Sequence, residues 1–327
     1  MIRFLVRRIA GWLLMIVVAT NITYFLANAF LDPRSNYVGR RPPVPQSTIN
    51  ATLSSYNLND HDSIWGRWWT WATDIVLHWN WGTSPIGDSV NGQVGYRIWV
   101  SAELVLGATL LITVIGIALG VYTASRQYKP SDRVALGSSI VTLNIPFVVA
   151  ALVTVIAAIK INQAAGTRIF YVTGASTQGV HGFFPVLLDR AQHLILPTFV
   201  IVLVGYAGTH LLQRTLLLDA INADFVRTAR AKGLTRQQAI RKHALRTSLI
   251  PVATDVAFSI PEIFTGAVLA EAIFGWQGMG QYFIQTISKS DIHGVVAVAA
   301  FGALMTAIGA ILADIAVVVL DPRVRIS

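Results

Sequence analysis

Acidic and amide side chains inside apolar stretches are the residues of this sequence whose type and position point to chemistry. Asp255, Glu262 and Asp314 lie within stretches rich in Ala, Val, Ile and Leu, and Glu271 lies at the edge of one. Asn144 interrupts another such stretch. A carboxylate at the centre of a bilayer costs about 2.5–3.5 kcal/mol, so we expect these side chains to face other helices rather than lipid.

Three roles for these five side chains remain open. They can pair or form hydrogen bonds between helices, line a pathway for a polar substrate, or relay protons. Pairing between helices is favoured, because polar side chains in membrane helices commonly bond to one another. Pathway lining comes next, and a proton relay last.

No catalytic or nucleotide-binding motif accompanies these acids. The sequence contains no Gly-x-x-x-x-Gly-Lys loop, no His-Glu-x-x-His and no Gly-x-Ser-x-Gly. Its seven histidines are scattered without the spacing of a zinc site, and it contains no cysteine for disulfides or thiolate ligands. We therefore expect that this chain is not an enzyme and binds no metal or cofactor itself.

The composition indicates a polytopic membrane protein. The chain has 327 residues, of which 54% are hydrophobic and only 13% are charged, whereas soluble domains are about 25% charged. A helix needs about 20 apolar residues to cross a bilayer. The sequence predicts an all-α membrane domain over 1–327 with six spans: 9–31, 100–124, 134–159, 194–218, 249–274 and 295–320.

Three of these spans carry local irregularities. Asn144 and Pro146 break the third span, because a proline removes a helical hydrogen bond and kinks the helix. Arg214, near the end of the fourth span, is expected to extend its guanidinium to the membrane interface. The first span resembles a signal peptide, but it exceeds the usual run of about 7–15 apolar residues, so we expect it to be retained.

The distribution of positive charge predicts the topology. Sixteen of the 25 Lys and Arg residues lie in the first, third and fifth polar segments and the tail, and nine lie in the other three loops. Because Lys and Arg favour the cytoplasmic side, both termini and residues 219–246 are expected to be cytoplasmic. This placement accounts for the net charge of +9 without nucleic acid.

Residues 32–99, the aromatic loop, are expected on the opposite side. This loop contains seven of the nine tryptophans, a residue that favours the headgroup level of a membrane. Residues 63–78 are predicted to form a helix along the membrane surface. Interfacial anchoring and packing are favoured for these rings, with direct contact to a ligand as the alternative.

Residues 219–246, the basic segment, are predicted to form two short helices joined by a glycine. Asp224 is expected to cap a helix over 225–232, and Gly233 to end it in a left-handed conformation. Thr235 and Gln238 have the spacing of a capping box, which starts a second helix. The result is a compact, basic projection with no catalytic features.

At the basic segment the sequence resembles the permease subunits of ATP-binding-cassette importers, and in particular their dipeptide and oligopeptide branch. Ala229, Gly233 and Leu245 keep letters of the loop motif of these subunits. The resemblance extends along nearly the whole chain and is weakest in the aromatic loop. The matching strings are Met-Ile-Arg-Phe-Leu-Val-Arg-Arg-Ile over 1–9, Asp-Phe-Val-Arg-Thr-Ala-Arg-Ala-Lys-Gly-Leu over 224–234, His-Ala-Leu-Arg over 243–246, Glu-Ala-Ile-Phe-Gly-Trp-Gln-Gly-Met-Gly over 271–280 and Asp-Pro-Arg-Val-Arg over 321–325.

The resemblance implies a type I importer permease fold with six spans and a defined set of partners. These are a second, homologous permease, two ATP-binding-cassette subunits or a fused equivalent that carry ATP and Mg, and an extracytoplasmic peptide-binding protein. Residues 224–243 would form coupling helices seated in a groove of the ATPase. The coupling residues implied are Asp224, Arg227, Ala229, Arg230, Lys232, Gly233 and Leu234.

Two alternatives stay open at this point. The cations of the basic segment can serve only to fix the topology, although topology alone requires neither helix caps nor a glycine. The chain can also be a secondary transporter driven by protons through Asp255, Glu262 and Asp314.

Overall fold

The described part of the protein is almost entirely helical. The computed structural model describes the backbone of residues 2–320 and the side chains of 7–259 and 267–319. Glu262 and the tail 321–325 therefore lie outside the described residues. The helices are α1 (Ile2–Phe30), a 3-10 turn (Pro33–Tyr37), α2 (Gln46–Ser55), α3 (Ile64–His78), α4 (Val90–Ser125), α5 (Pro130–Leu143), α6 (Phe147–Ala165), α7 (Phe183–Asn222), α8 (Asp224–Ala231), α9 (Arg236–Ala239), a π-helical turn (Ile240–Ala244), α10 (Leu245–Gly266), α11 (Val268–Phe274), α12 (Met279–Ser288) and α13 (Ile292–Leu320).

Five of the described helices are long and apolar enough to cross a membrane, and they lie in α1, α4, α6, α7 and α13. The predicted span 249–274 is not among them. That stretch is divided at Ala267, between α10 and α11, and the side chains of 260–266 lie outside the described ones. The all-α prediction is confirmed for the described residues, while the fifth predicted span, 249–274, stays a prediction.

The third predicted span contains a full break rather than a kink. α5 ends at Leu143, and Pro146 is the N-cap residue of α6. Asn144 closes α5, and its side-chain Nδ2 donates to Ile140 O at 2.7 Å. Because proline has no N–H and disfavours a helical residue before it, α6 begins after the proline with its own axis.

The chain divides into two compact units, the first formed by Met1–Ser101 and Gln277–Ala307. Its core holds the aromatic loop against α1 and the start of α13. Trp71 of α3 stacks on Tyr24 of α1 with ring centroids 4.6 Å apart, and Trp68 Nε1 donates to Asn21 Oδ1 at 2.6 Å. The helix predicted over 63–78 is therefore confirmed as α3, and its buried side packs on α1.

The second unit contains Ala102–Trp276 and the end of the chain from Ile308. Within it α4 and α7 approach so closely that two glycines of α4 have no room for a side chain. A Cβ atom on Gly116 would lie 2.6 Å from Thr209 Cβ, and one on Gly120 would lie 2.7 Å from Gln213 Cβ. Small residues four apart allow such contact between membrane helices, and this contact fixes α7 relative to α4.

Candidate functional site

The basic segment presents a surface of exposed cations. α8 and the turn that follows expose Arg227, Arg230 and Lys232, and the next helical stretch exposes further cations. Arg227 Nη1 lies 3.5 Å from Asp224 Oδ1, but both side chains are exposed, so the pair adds little stability and leaves the charge available. We call this set the basic surface: Arg227, Arg230, Lys232, Arg236, Arg241 and Lys242.

A cluster of small and β-branched residues holds the basic surface against α4 and α7. Val226 and Ala229, three residues apart on one face of α8, are buried in this cluster. Ala229 is therefore a packing residue beneath the surface, and Leu234 packs against the same cluster. We call it the support cluster: Ala124, Leu217, Ala220, Val226, Ala229, Ala239, Ile240 and Ala244.

Gly233 has the left-handed conformation that the sequence predicts. It follows α8 with a φ of +95°, and its N–H donates to Arg230 O at 3.0 Å. No atom lies within 4 Å of the position where a Cβ would stand. A side chain at Gly233 would therefore be disfavoured by the positive φ, which residues other than glycine rarely adopt, rather than by a steric clash.

The two predicted helix caps have different outcomes. The Thr235 capping box is confirmed, since Thr235 Oγ1 accepts from Gln238 N at 3.3 Å and Gln238 Oε1 accepts from Thr235 N at 3.0 Å. The cap at Asp224 is wrong. Ala223 is the N-cap residue without a side-chain bond, and Asp224 is the first helical residue, from which its carboxylate turns toward Arg227.

The second helix predicted in the basic segment starts at Thr235 as expected, but the prediction that it is short is wrong. α9 passes through the π-helical turn at Ile240–Ala244 directly into α10. The turn buries Ile240 and Ala244 while Arg241 and Lys242 stay exposed. Three cations of the basic surface, Arg236, Arg241 and Lys242, therefore lie on the first turns of the continuous helix that also carries Asp255.

A cavity of about 420 Å³ lies among α4, α6, α7, α10 and α11. Thr109 and Ile112 of α4 and Val204 and Thr209 of α7 line it, and so does Asp255 of α10. This placement agrees with the pathway interpretation for Asp255.

Of the other polar residues predicted inside the membrane, Glu271, Asp314 and Asn144 are not among the described residues that line this cavity. Glu271 is fully buried and Asp314 is half-buried. Asn144 is exposed and bonded to its own helix, and the side chain of Glu262 lies outside the description. Among the described side chains, no three His, Asp or Glu residues come together as a metal site.

A buried polar cluster on α7 is the feature that the sequence analysis missed. Nε and Nη2 of Arg214 donate to the two carboxylate oxygens of Asp132 at 2.9 and 3.0 Å, and the extension of Arg214 to a membrane interface stays a prediction. These bonds from Arg214 hold the pKa of the Asp132 carboxyl below its usual range. The signal in the sequence is the spacing of His210, Gln213 and Arg214, which places all three on one helix face.

These side chains form a layer with partners from three other helices. Except for Arg214, whose side chain is 15% exposed, every member is at most 3% exposed. We call it the polar layer: Thr123, Asp132, Ser139, His210, Gln213, Arg214 and Ser248.

Known proteins resemble this chain over its whole length. Residues 116–326 match the family described as binding-protein-dependent transport system inner membrane component. The oligopeptide transport system permease protein OppB of Mycobacterium tuberculosis (strain ATCC 25618 / H37Rv) is 38% identical over 328 residues, covering 100% of both chains.

Two Bacillus subtilis (strain 168) proteins are also similar. The oligopeptide transport system permease protein AppB is 30% identical over 286 residues, 87% of each chain. The dipeptide transport system permease protein DppB is 27% identical over 327 residues, covering 100% of this chain and 99% of the relative. The similarity therefore includes the aromatic loop as well as the basic segment.

Proposed function

Because this chain belongs to the family of binding-protein-dependent transport system inner membrane components, we propose that it is the permease subunit of an ATP-driven importer of di- and oligopeptides. It would move its substrate across the cytoplasmic membrane of a prokaryote by alternating access. The observation that carries the substrate class is the 38% identity to an oligopeptide permease over the full length of both chains.

The proposed assembly contains a second, homologous permease, two ATP-binding-cassette subunits or a fused equivalent, and an extracytoplasmic peptide-binding protein. ATP and Mg bind to the ATPase subunits, and this chain contributes no cofactor site. Both termini and the basic segment lie in the cytoplasm, and the aromatic loop lies outside. The asymmetry of Lys and Arg between the two sets of loops supports this orientation.

The basic surface is the docking site for the ATPase. Its exposed cations project from helices that the support cluster holds on α4 and α7, so a force applied to the surface reaches the membrane helices. Closure of the ATPases on ATP moves the surface as a rigid body and opens the cavity to the opposite side. Gly233 sets the angle between α8 and α9, and Asp255 lines the path of the peptide.

The proton-driven secondary transporter is the weaker candidate. It requires Asp255, Glu262 and Asp314 to act together, yet the cavity wall contains only Asp255 of these three among the described side chains. The named relatives are permease proteins of transport systems for peptides, and that similarity favours the importer.

Crosslinking in native membranes tests the docking assignment. The chain has no cysteine, so Lys232→Cys introduces the only thiol of this subunit. We expect it to capture an ATP-hydrolysing partner. Lys160→Cys, at an exposed lysine on the predicted outer side, is the matched control and should capture none. Equal capture at both positions, or none at Lys232→Cys, would overturn the assignment.

Substitution at Gly233 tests the turn. Gly233→Arg should abolish peptide uptake and uncouple ATP hydrolysis from it, with expression intact. Gly233→Asn is the control, because asparagine tolerates a positive φ better than other side chains, and it should retain most uptake. Normal uptake by Gly233→Arg would contradict a coupling role for this turn.

A separate experiment addresses the pathway. Asp255→Asn keeps the size of the side chain and removes its charge. If Asp255 lines the path, we expect the uptake of peptides with a free amino terminus to fall while basal ATP hydrolysis stays unchanged. Unchanged uptake would remove Asp255 from the pathway.

A further inference from the structure

His210 links three helices at the centre of the polar layer. His210 Nε2 lies 3.0 Å from Thr123 Oγ1 of α4, and Nδ1 lies 2.7 Å from Ser139 Oγ of α5, so each ring nitrogen shares a hydrogen bond with one hydroxyl. Thr123 Oγ1 also bonds to Leu119 O of its own helix at 2.8 Å. A single imidazole, fully buried, thus bonds α7 to α4 and to α5 at once.

Two further links between helices extend the layer. Arg214 of α7 binds Asp132 of α5 through two hydrogen bonds, and Asp132 also accepts from Tyr128 N at 2.9 Å. Gln213 Nε2 of α7 donates to Ser248 Oγ of α10 at 2.9 Å. Four helices are therefore joined to one another within little more than one turn of α7.

The position of the layer along α7 is the key observation. Thr209 is the last residue of α7 that lines the cavity, and the polar layer begins at the next residue, His210. After Arg214 come Leu217 and Ala220 of the support cluster. At about 1.5 Å per residue, the layer fills the interval between the cavity and the support of the basic surface.

The same order recurs on a second helix. Ala244, just before α10, belongs to the support cluster. Ser248 of α10 belongs to the polar layer, and Asp255 stands in the cavity wall.

It recurs on α4 in the reverse chain direction. Thr113 lines the cavity, Thr123 bonds to His210, and Ala124 belongs to the support cluster. Among the described residues, α4, α7 and α10 with the π-helical turn before it thus each carry members of the support cluster, the polar layer and the cavity wall in that order.

We propose that the polar layer is a positioning element that makes α4, α5, α7 and α10 move as one block when the ATPases displace the basic surface. This inference rests on the proposed coupling function. Apolar helix faces can slide past one another at little cost, whereas buried hydrogen bonds are directional and costly to leave unmade. The layer therefore delivers the displacement of the surface to the cavity instead of losing it between helices.

His210→Leu in the complete transporter, reconstituted with its partners, is the central test. The assembly should survive, because Thr123 already bonds to its own helix and Ser139 can do the same. Peptide transported per ATP hydrolysed should fall by about tenfold, the equivalent of losing two ordinary hydrogen bonds from the coupling. His210→Gln keeps a donor and an acceptor and should restore part of the loss.

Thr215→Leu is the matched control. Thr215 is exposed on the same helix, and its hydroxyl bonds only to Leu211 O of its own helix among the described residues. This variant should transport normally. If His210→Leu does not assemble, Ser139→Ala removes one of the two links with a smaller change in volume, and it should lower transport per ATP by a smaller factor.

The readouts separate failure of this inference from failure of the proposed function. Capture of the ATPase by Lys232→Cys reports docking alone. If capture fails in a chain with an intact polar layer, the proposed function is wrong. The inference is wrong if capture persists and the His210→Leu transporter couples transport to ATP hydrolysis as well as the unaltered one. Where His210→Leu does not assemble, the same outcome for Ser139→Ala decides. The inference is equally wrong if transport falls only in proportion to the amount of assembled complex.

Discussion

The aromatic loop and the basic segment both connect apolar helices, yet different kinds of residue hold them in place. In the aromatic loop, Trp71 stacks on Tyr24 with centroids 4.6 Å apart, and Leu53 is fully buried beside them. In the basic segment the buried residues are small, such as Ala229 and Ala239. Large rings hold the loop in a core that it shares with α1 and the start of α13, whereas alanines bring the segment close to α4 and α7.

The difference suits the roles proposed for the two regions. The loop shares one aromatic core with α1 and the start of α13, so its shape depends on that core. A segment that lies directly on two helices through alanines must move when they move, because close-packed interiors transmit displacement. The substitutions below alter one region of the molecule at a time.

The largest effect is expected for Trp71→Ala in the core of the aromatic loop. Removing a buried aromatic ring costs about 3–5 kcal/mol through lost burial and a residual cavity. Thermal unfolding of the purified complex and limited proteolysis within 32–99 should both show it. Trp69→Ala on the same helix is the control, since Trp69 is 64% exposed. Equal effects of the two substitutions would contradict the packing described for α3.

A smaller effect is expected for Ala229→Leu in the support cluster. The added methylene groups overfill a close contact, which costs about 1–3 kcal/mol, and they push α8 away from α7. Uptake should therefore fall together with stability. Ala231→Leu makes the same change at an exposed position of α8 and should do neither. If Ala229→Leu were silent, the segment would not be held by close packing.

The first unit also contains an acid whose titration tests its burial. Asp291, 3% exposed, has its pKa raised from the ordinary 3.8 to about 6 by burial. The folded state therefore holds this proton more tightly than the unfolded state, and stability falls as pH rises from about 4 to about 6.

Asp291→Asn should remove this part of the pH dependence and raise the unfolding temperature at neutral pH. The amide retains an oxygen to accept from Gly294 N, a bond of 2.9 Å in this structure. Asp62→Asn, at an exposed acid of the aromatic loop, should leave the pH profile unchanged. An unaltered profile in Asp291→Asn would mean that this carboxyl is not buried in solution.

The smallest effect on stability is expected for Arg227→Ala on the basic surface. Its side chain is 73% exposed and pairs only weakly with Asp224, so unfolding should not change measurably. Coupling should instead weaken, and the difference from the unaltered chain should shrink at high salt, because salt screens the contribution of exposed charges at a docking surface. Lys160→Ala is the control. A loss of stability in Arg227→Ala would assign this cation to the fold rather than to docking.

Local features of the basic segment were predictable because neighbouring residues determine them. The capping box at Thr235 and the left-handed Gly233 follow from hydrogen-bonding geometry and backbone sterics within a few residues. The cap at Asp224 failed by one position, because Ala223 rather than Asp224 takes the non-helical conformation of a cap. The second helix failed to end because the sequence after Ala239 contains no breaker before Pro251.

The polar layer was not predictable in the same way. His210, Gln213 and Arg214 share a helix face in any helical model of the sequence, but their partners come from three other helices. Arg214 and Asp132 are 82 residues apart in the chain, and His210 and Thr123 are 87 apart. Periodicity contains no information about such pairs.

The sequence by itself determined that this is an all-α membrane protein with a basic, glycine-jointed segment. Hydropathy, charge distribution and backbone sterics act along the chain and need no knowledge of what packs against what. Only the tertiary structure decided that Arg214 is buried against Asp132 and that one helix continues from the basic surface to the cavity. Both outcomes depend on how the helices are positioned relative to one another. The close approach of Gly116 and Gly120 to α7 fixes part of that arrangement, and such contacts exist only after the helices have packed.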